Sequence, residues 1–264
     1  MPLLSALIPA RNEEENLPGC LESVRFADEI LVVVDAATTD RTASIASEFG
    51  ARVLVHEYVN SAAQKNWALP QTAHRWILIV DADERVTLEL QKEIRAILAS
   101  EPPVAGYEIP RRNQFLGHPI RFSGWQTDRV LRLFDRDRVR YEEREVHAKV
   151  LAPGPVPILE CHLTHDTCRS FSQYWEKMRR YSDWGASELA RKGKRAGVRH
   201  VFFHPVARFV KTFVLEQGFR DGMPGLVLCM LTAFTVYLKY AKLWELNVRS
   251  DRARPAPPAA PPAR

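Results

Sequence analysis

The chain has 264 residues and a mass of 30.2 kDa. Its 46% hydrophobic and 26% charged content excludes a disordered or fibrous protein and allows a sizeable core. Four cysteines (Cys20, Cys161, Cys168, Cys229) are too few and too scattered for a disulfide framework and suit a reducing compartment. The net charge of +5 is unevenly placed: residues 169–220 hold 12 Lys/Arg against 4 Asp/Glu, an excess of +8 that leaves −3 elsewhere. Such asymmetry points to an acidic partner surface, anionic lipid or nucleic acid. No recognised nucleic-acid module accompanies it, so no nucleic-acid partner is expected. The start of the chain does not read as a secretory leader: Leu3 to Ile8 is short, without preceding basic residues.

Leu3 to Ile8 is predicted as a buried strand closed by Pro9. A helix follows, with Leu17, Cys20, Leu21 and Val24 at helical spacing and an acidic first turn. Ile30 to Asp35 is a second buried strand. Thr38-Thr39-Asp40 then offers N-cap chemistry for a helix through Phe49. Arg52 to Val55 is a third strand, Ala62 to Ala73 a third helix, and Trp76 to Val80 a fourth strand that runs into Asp81-Ala82-Asp83-Glu84. Alternating strands and helices with short connections predict a parallel α/β sheet. Its strand ends would bring Arg11-Asn12-Glu13, Asp35 and Asp81/Asp83 to one edge, where open α/β sheets bind ligands. Two carboxylates one residue apart at such an edge suit a hard divalent ion and a nucleotide diphosphate.

After a helix from Thr87 to Ala99 the texture changes. Val104 to Pro110, Val130 to Phe134 and Val146 to Leu151 are predicted strands in a turn-rich half without crossover helices. From Ser170 the pattern is helical, with Phe171, Tyr174, Trp175, Met178 and Tyr181 as a stripe for core or partner contact. Val201 to Glu216 is another amphipathic candidate. The apolar run Pro224 to Leu238 falls short of the ~20 residues that span a bilayer. It leaves buried, re-entrant and interfacial placements open. Lys239 and Lys242 beside Tyr237, Tyr240 and Trp244 suit an interface anchor. Together with the basic excess upstream, this region reads as peripheral or monotopic on a membrane. The last residues are rich in proline and alanine and read as disordered.

Several segments together resemble the family 2 inverting glycosyltransferases, of GT-A fold. They are Ile8-Pro9-Ala10-Arg11-Asn12-Glu13, Val34-Asp35 with Thr39-Asp40-Arg41-Thr42, and Asp81-Ala82-Asp83. Ala62 to Leu69, Ile109 to Asn113, Phe115-Leu116-Gly117, Gly124-Trp125, Asp128-Arg129, Leu131 to Phe134 and Leu238 to Glu245 are similar to the lipopolysaccharide core glucosyltransferase subfamily. The resemblance runs from Leu3 to about Leu246. It implies a mostly parallel GT-A sheet flanked by helices, with a C-terminal helical, membrane-associated extension. Residues 1–168 would form the transferase domain (1–100 the nucleotide-binding half, 101–168 the acceptor-side half), 169–248 a basic amphipathic region and 249–264 the tail. It further implies transfer of a hexose, glucose by preference, from a UDP-sugar to a lipid-linked or lipopolysaccharide acceptor at the cytoplasmic face of the inner membrane.

On that resemblance Asp128 is the catalytic base. Pro9, Ala10, Arg11, Asn12, Glu13, Asp35, Lys65, Asp81 and Ala82 bind the nucleotide sugar. Asp83 with Asp81 holds Mn or Mg, and His147 is a weaker candidate ligand. Asp128 could instead simply pair with Arg129 or Arg132. Two departures stand out: Asp35-Ala36-Ala37-Thr38-Thr39-Asp40 lacks the family's glycine, and Val146-His147-Ala148 lacks a subfamily glutamate. A zinc site at Cys161-His162-Leu163-Thr164-His165-Asp166-Thr167-Cys168 is disfavoured, for want of paired cysteine spacing. A polyprenyl-phosphate acceptor, a phosphatase of the haloacid dehalogenase type and a degenerate scaffold are the alternatives.

Overall fold

The computed structural model describes residues 2–100, 103–142 and 150–253. Its strands are β1 (Leu4–Ala10), β2 (Glu29–Asp35), β3 (Arg52–His56), β4 (Trp76–Ile79), β5 (Glu84–Val86), β6 (Gly106–Phe115), β7 (His118–Pro119), β8 (Arg129–Asp135), β9 (Arg140–Tyr141), β10 (Val150–Leu151) and β11 (Leu163–Cys168). The helices are α1 (Leu17–Ser23), α2 (Thr42–Glu48), α3 (Ser61–Ala68), α4 (Leu88–Ala99), α5 (Phe171–Arg191), α6 (Val198–Val210) and α7 (Gly222–Ala253). Two compact units result: residues 1–114 with 127–167, and residues 115–126 with Cys168 onward. In the second unit the 115–126 segment clusters with the C-terminal helices.

In the first unit the main sheet runs β3-β2-β1-β4-β8-β6-β11-β5. The first four strands are parallel, with Leu7 opposite Leu31 on one side and Ile79 on the other. β8 is antiparallel to β4, β6 to β8, and β5 to β11, so the sheet is mixed. The change follows from connectivity: no crossover helix lies between β6 and β8, and without one a chain returns antiparallel. Pro9 does not close β1, which continues to Ala10 opposite Val34. β4 pairs with β1 only as far as Leu7, so no bond on that side is lost to the proline.

Both sheet faces are covered, which is why the parallel strands read as unbroken apolar runs. Ala6, Ile8, Val32 and Leu78 pack against Leu17, Leu21, Leu90 and Ile94 on one face. Leu7, Leu31, Val33 and Ile77 pack against Ala68, Leu69 and Phe134 on the other. α1 starts only at Leu17, so the acidic run Glu13–Glu15 precedes it instead of forming its first turn. The N-cap of α2 is Arg41, without a side-chain cap, and not the expected Thr38-Thr39-Asp40; Asp40 stands one residue earlier, where its Oδ1 accepts from the Thr42 amide at 3.0 Å and from the Thr42 hydroxyl at 2.5 Å. α3 ends at Ala68 and passes into a 3₁₀ turn through Pro70, short of the expected Ala73.

In the second unit Phe115, Ile120, Cys168 and Leu228 form a small core with Tyr174 and Trp125 against it. α5 starts at the Ser170 cap, whose hydroxyl accepts from the Gln173 amide at 3.2 Å. Both α5 and α6 pack on α7. Only Met178 of the expected α5 stripe is fully buried, while Phe171, Trp175 and Tyr181 are exposed. α6 leads into a π-helical turn (Lys211–Leu215), a left-handed Gln217 and a 3₁₀ turn (Gly218–Asp221). The helical stretch Gly218–Arg252, 35 residues long, could by length and composition cross a membrane. The 15-residue run read from sequence understates it, because flanking turns extend the helix beyond its apolar centre.

Candidate functional site

The first two loops at the sheet edge are laced together by backbone donors. Asn12 adopts a left-handed φ of 52°, and its Oδ1 accepts from the Thr39 amide at 2.9 Å. The Glu13 amide donates to Thr42 Oγ1 at 2.8 Å, and the Glu14 amide to Asp40 Oδ2 at 3.0 Å. The turn after Asp35 needs no glycine, since no residue from Asp35 to Asp40 has positive φ. Asp35 is buried. Its Oδ1 accepts from the amides of Ala37 (3.1 Å) and Tyr58 (3.3 Å). Its Oδ2 accepts no hydrogen bond, although Arg11 Nη1 stands 3.2 Å away. A buried carboxylate oxygen without a bonded donor is an open seat for one.

The carboxylates after β4 enter a chain of ion pairs. Arg132, buried on β8, binds Asp81 Oδ2 and, at 3.0 Å, Glu84 Oε1. Lys65 on α3 puts its Nζ 3.7 Å from Asp81 Oδ1 and 5.5 Å from the centre of the Tyr141 ring. Burial works to raise the Asp81 pKa, but Arg132 and Lys65 outweigh it and hold the group well below the carboxylate range. Burial pushes the Lys65 ammonium down, with Asp81 opposing. Glu84 is wholly buried; its Oε2 accepts the Asp81 amide at 2.9 Å, and Arg111 Nη1 lies 3.3 Å from its Oε1. Ala82 is buried, and its carbonyl accepts from Arg85 at 2.9 Å. Pro9 and Ala10 are the last residues of β1.

Arg111 continues the chain to Asp128, Nη2 to Oδ1 at 2.8 Å, and Asn113 Nδ2 donates to Asp128 Oδ2 at 2.7 Å. Asp128 therefore pairs with neither Arg129, which binds Glu108 at 2.7 Å, nor Arg132. Burial works to raise the Asp128 pKa, yet the Arg111 and Asn113 hydrogen bonds prevail and keep it below its ordinary value. Its side chain is 24% exposed, and two bonded oxygens leave lone pairs for a substrate hydroxyl.

Asn113 also faces His165, with Oδ1 2.6 Å from Nδ1. Because the Asn113 amide nitrogen donates to Asp128, its oxygen must accept, which puts the ring proton on Nδ1. His165 Nε2 then presents a lone pair towards Asp83 Oδ2, 3.4 Å away. An imidazole nitrogen and a carboxylate oxygen at that separation could share a cation. Such a mixed nitrogen and oxygen pair suits a divalent ion of the Mn²⁺ type. No group of three or more His, Cys, Asp or Glu with metal-site geometry occurs among the described residues. Asp83 and His165 could hold a cation between them, whereas Asp81, expected to share the ion, is matched to Arg132 and Lys65. His147 lies outside the described residues.

Sequence reasoning missed Glu84, Arg111, Asn113, Arg132 and His165 as parts of the site. Faint signals existed: Arg111 and Asn113 alternate on one face of a strand, and Arg132 is a lone charge between Leu131 and Leu133. His165 is carried to Asp83 by antiparallel pairing of β11 with β5, in which His165 opposes Glu84.

The description "Glycosyl transferase family 2" matches residues 5–155. A lipopolysaccharide core biosynthesis glycosyltransferase, LpsC of Rhizobium meliloti, is 29% identical over 256 residues, 94% of each chain. An uncharacterized glycosyltransferase of Rickettsia typhi is 28% identical, over 95% of this chain and 89% of its own. Among solved structures, Staphylococcus aureus TarS superposes with TM-score 0.45 and 16% identity, over 84% of this chain and 46% of that one. Glucosyl-3-phosphoglycerate synthase of Mycobacterium tuberculosis, solved with Mn²⁺ and UDP, superposes with TM-score 0.35 and 18% identity over 43% and 44%.

Proposed function

Because the chain belongs to glycosyl transferase family 2 and is a glycosyltransferase of GT-A fold, we propose that it moves a hexose from a UDP-sugar to a membrane-bound acceptor. The acceptor is lipopolysaccharide core or a related envelope glycan, reached at the cytoplasmic face of the inner membrane. The observation that carries the reading is the hydrogen-bonded series His165–Asn113–Asp128, with Asp83 Oδ2 3.4 Å from the far ring nitrogen of His165. It joins a cation seat to a carboxylate base through one amide.

Asp35, with one buried oxygen awaiting a donor, takes the N–H of a pyrimidine base. Lys65 and Arg132 face the diphosphate side of Asp81. A divalent ion on Asp83 and His165 would neutralise charge developing on the leaving nucleoside diphosphate. Asp128, ionised at neutral pH, accepts the proton of the acceptor hydroxyl as that oxygen attacks the anomeric carbon from the opposite side, giving inversion. Arg111 and Asn113 fix its orientation and leave one face of the carboxylate for the hydroxyl.

Calorimetric titration of UDP, GDP and CDP, with and without Mn²⁺, tests this. Wild type should bind UDP in a metal-dependent way, and Asp83→Ala and His165→Ala should each weaken it by about tenfold or more. Asp128→Asn should keep UDP affinity while losing about 10²- to 10⁴-fold in turnover. Folded wild type that binds no nucleotide with any metal would overturn the proposal.

A further inference from the structure

The 27 residues between Glu188 and Glu216 contain seven Lys/Arg and no Asp or Glu. Within them α6 and the π-helical turn after it form a rod of about 27 Å, at 1.5 Å per residue. This rod is apolar in sequence, yet no residue of α6 is buried. Phe202 and Phe203 are 63% and 60% exposed, and Val206, Val210, Leu215 and Phe219 are exposed beside them. Arg199, Arg208, Lys211 and Arg220 are also exposed on the same stretch. An apolar face of that size on a soluble domain marks an interaction surface.

We infer that α6 and the turns up to Phe219 lie in the plane of an anionic phospholipid bilayer, with the aromatic face in the acyl boundary and the bases at the headgroups. The inference rests on the membrane-bound acceptor proposed above and names the surface that meets the membrane. Charge selects the occupant: residues 189–219, which contain α6 and the turns after it, carry seven bases against the single carboxylate Glu216, and such a stretch is repelled by a second copy of itself and attracted by anionic lipid. The longer α7 is not the inserted element. Its buried Leu228, Cys229 and Ala233 face protein, and Lys242 binds Asp183 of α5 at 2.7 Å. A crossing by α7 would draw α5, with Lys177, Arg179, Arg180 and Asp183, into hydrocarbon, a placement charged side chains resist.

The test is co-sedimentation of the full chain with vesicles of phosphatidylethanolamine and phosphatidylglycerol, against vesicles of phosphatidylcholine alone. Wild type should bind the anionic vesicles, weaken with salt and be released by alkaline carbonate. Phe202→Ser/Phe203→Ser and Arg199→Glu/Arg208→Glu should each lose about tenfold or more in partition. Circular dichroism and UDP binding should stay at wild-type levels in both. Unchanged partition of the Phe202/Phe203 variant overturns the inference, and so does carbonate-resistant wild type, which would make α7 the anchor. Loss of a dimer in light scattering, with vesicle binding intact, overturns it in favour of a second copy. Wild type that binds vesicles as described but no nucleotide would remove the transferase reading and leave the docking face standing.

Discussion

Glu84 is the residue on which the ion lattice turns. It has no exposure, and it supplies the oxygen between Arg111 and Arg132 while holding the Asp81 amide. Removing one partner from a buried pair leaves the other charge without compensation, a loss of about 3–5 kcal/mol. Glu84→Ala should lower stability by that order in urea unfolding, with Glu84→Gln losing less because its amide oxygen still accepts. Both should also impair nucleotide binding, since Arg132 is then free to shift from Asp81. Sequence inspection passed over Glu84 because a glutamate next to Arg85 looks like an ordinary exposed residue. Nothing local reveals that β8 and β6 bring two arginines onto it.

Among elements, the 115–126 segment is the most tightly specified. The amides of Arg121 and Phe122 each donate to Asp221 at 3.0 Å, as does the Ser123 hydroxyl at 2.9 Å. Gly124 has φ +87°, and an added Cβ would lie 2.3 Å from Glu216 Oε2. Gly124→Ala therefore carries both backbone strain and a forced shift of Glu216, and should cost about 1–3 kcal/mol in thermal or urea unfolding. The parallel elements were legible in the sequence because burial on both faces leaves each strand a plain apolar run. The later strands were less so. Their inward faces carry Arg111, Asn113 and Arg132, which interrupt the periodicity that marks a strand. Asp83 and Asp128 could be read as candidates, but their link through Asn113 and His165 depends on pairing between segments far apart in the chain.

For the molecule as a whole, stability is tied to its ionised carboxylates. Glu29, Asp40, Asp81 and Asp128 all sit below their ordinary pKa values; burial opposes each shift, and hydrogen bonds or cations outweigh it. A depressed folded pKa contributes stability above the unfolded value, near 4, that is lost as pH falls through the folded one. The urea midpoint should hold steady between about pH 7 and 5 and drop progressively below about 4. A midpoint unchanged down to pH 3 would contradict this. The division of the chain also bears on how it is made. Phe115 and Ile120 reach the ribosome exit before their packing partner Leu228 has been translated, and Arg121 waits 100 residues for Asp221. During synthesis the polypeptide thus carries an unmatched apolar loop until α7 emerges. A nascent chain stalled or cleaved near Cys168 would keep that loop open to aggregation and chaperones. The arrival of α7 therefore completes this small core.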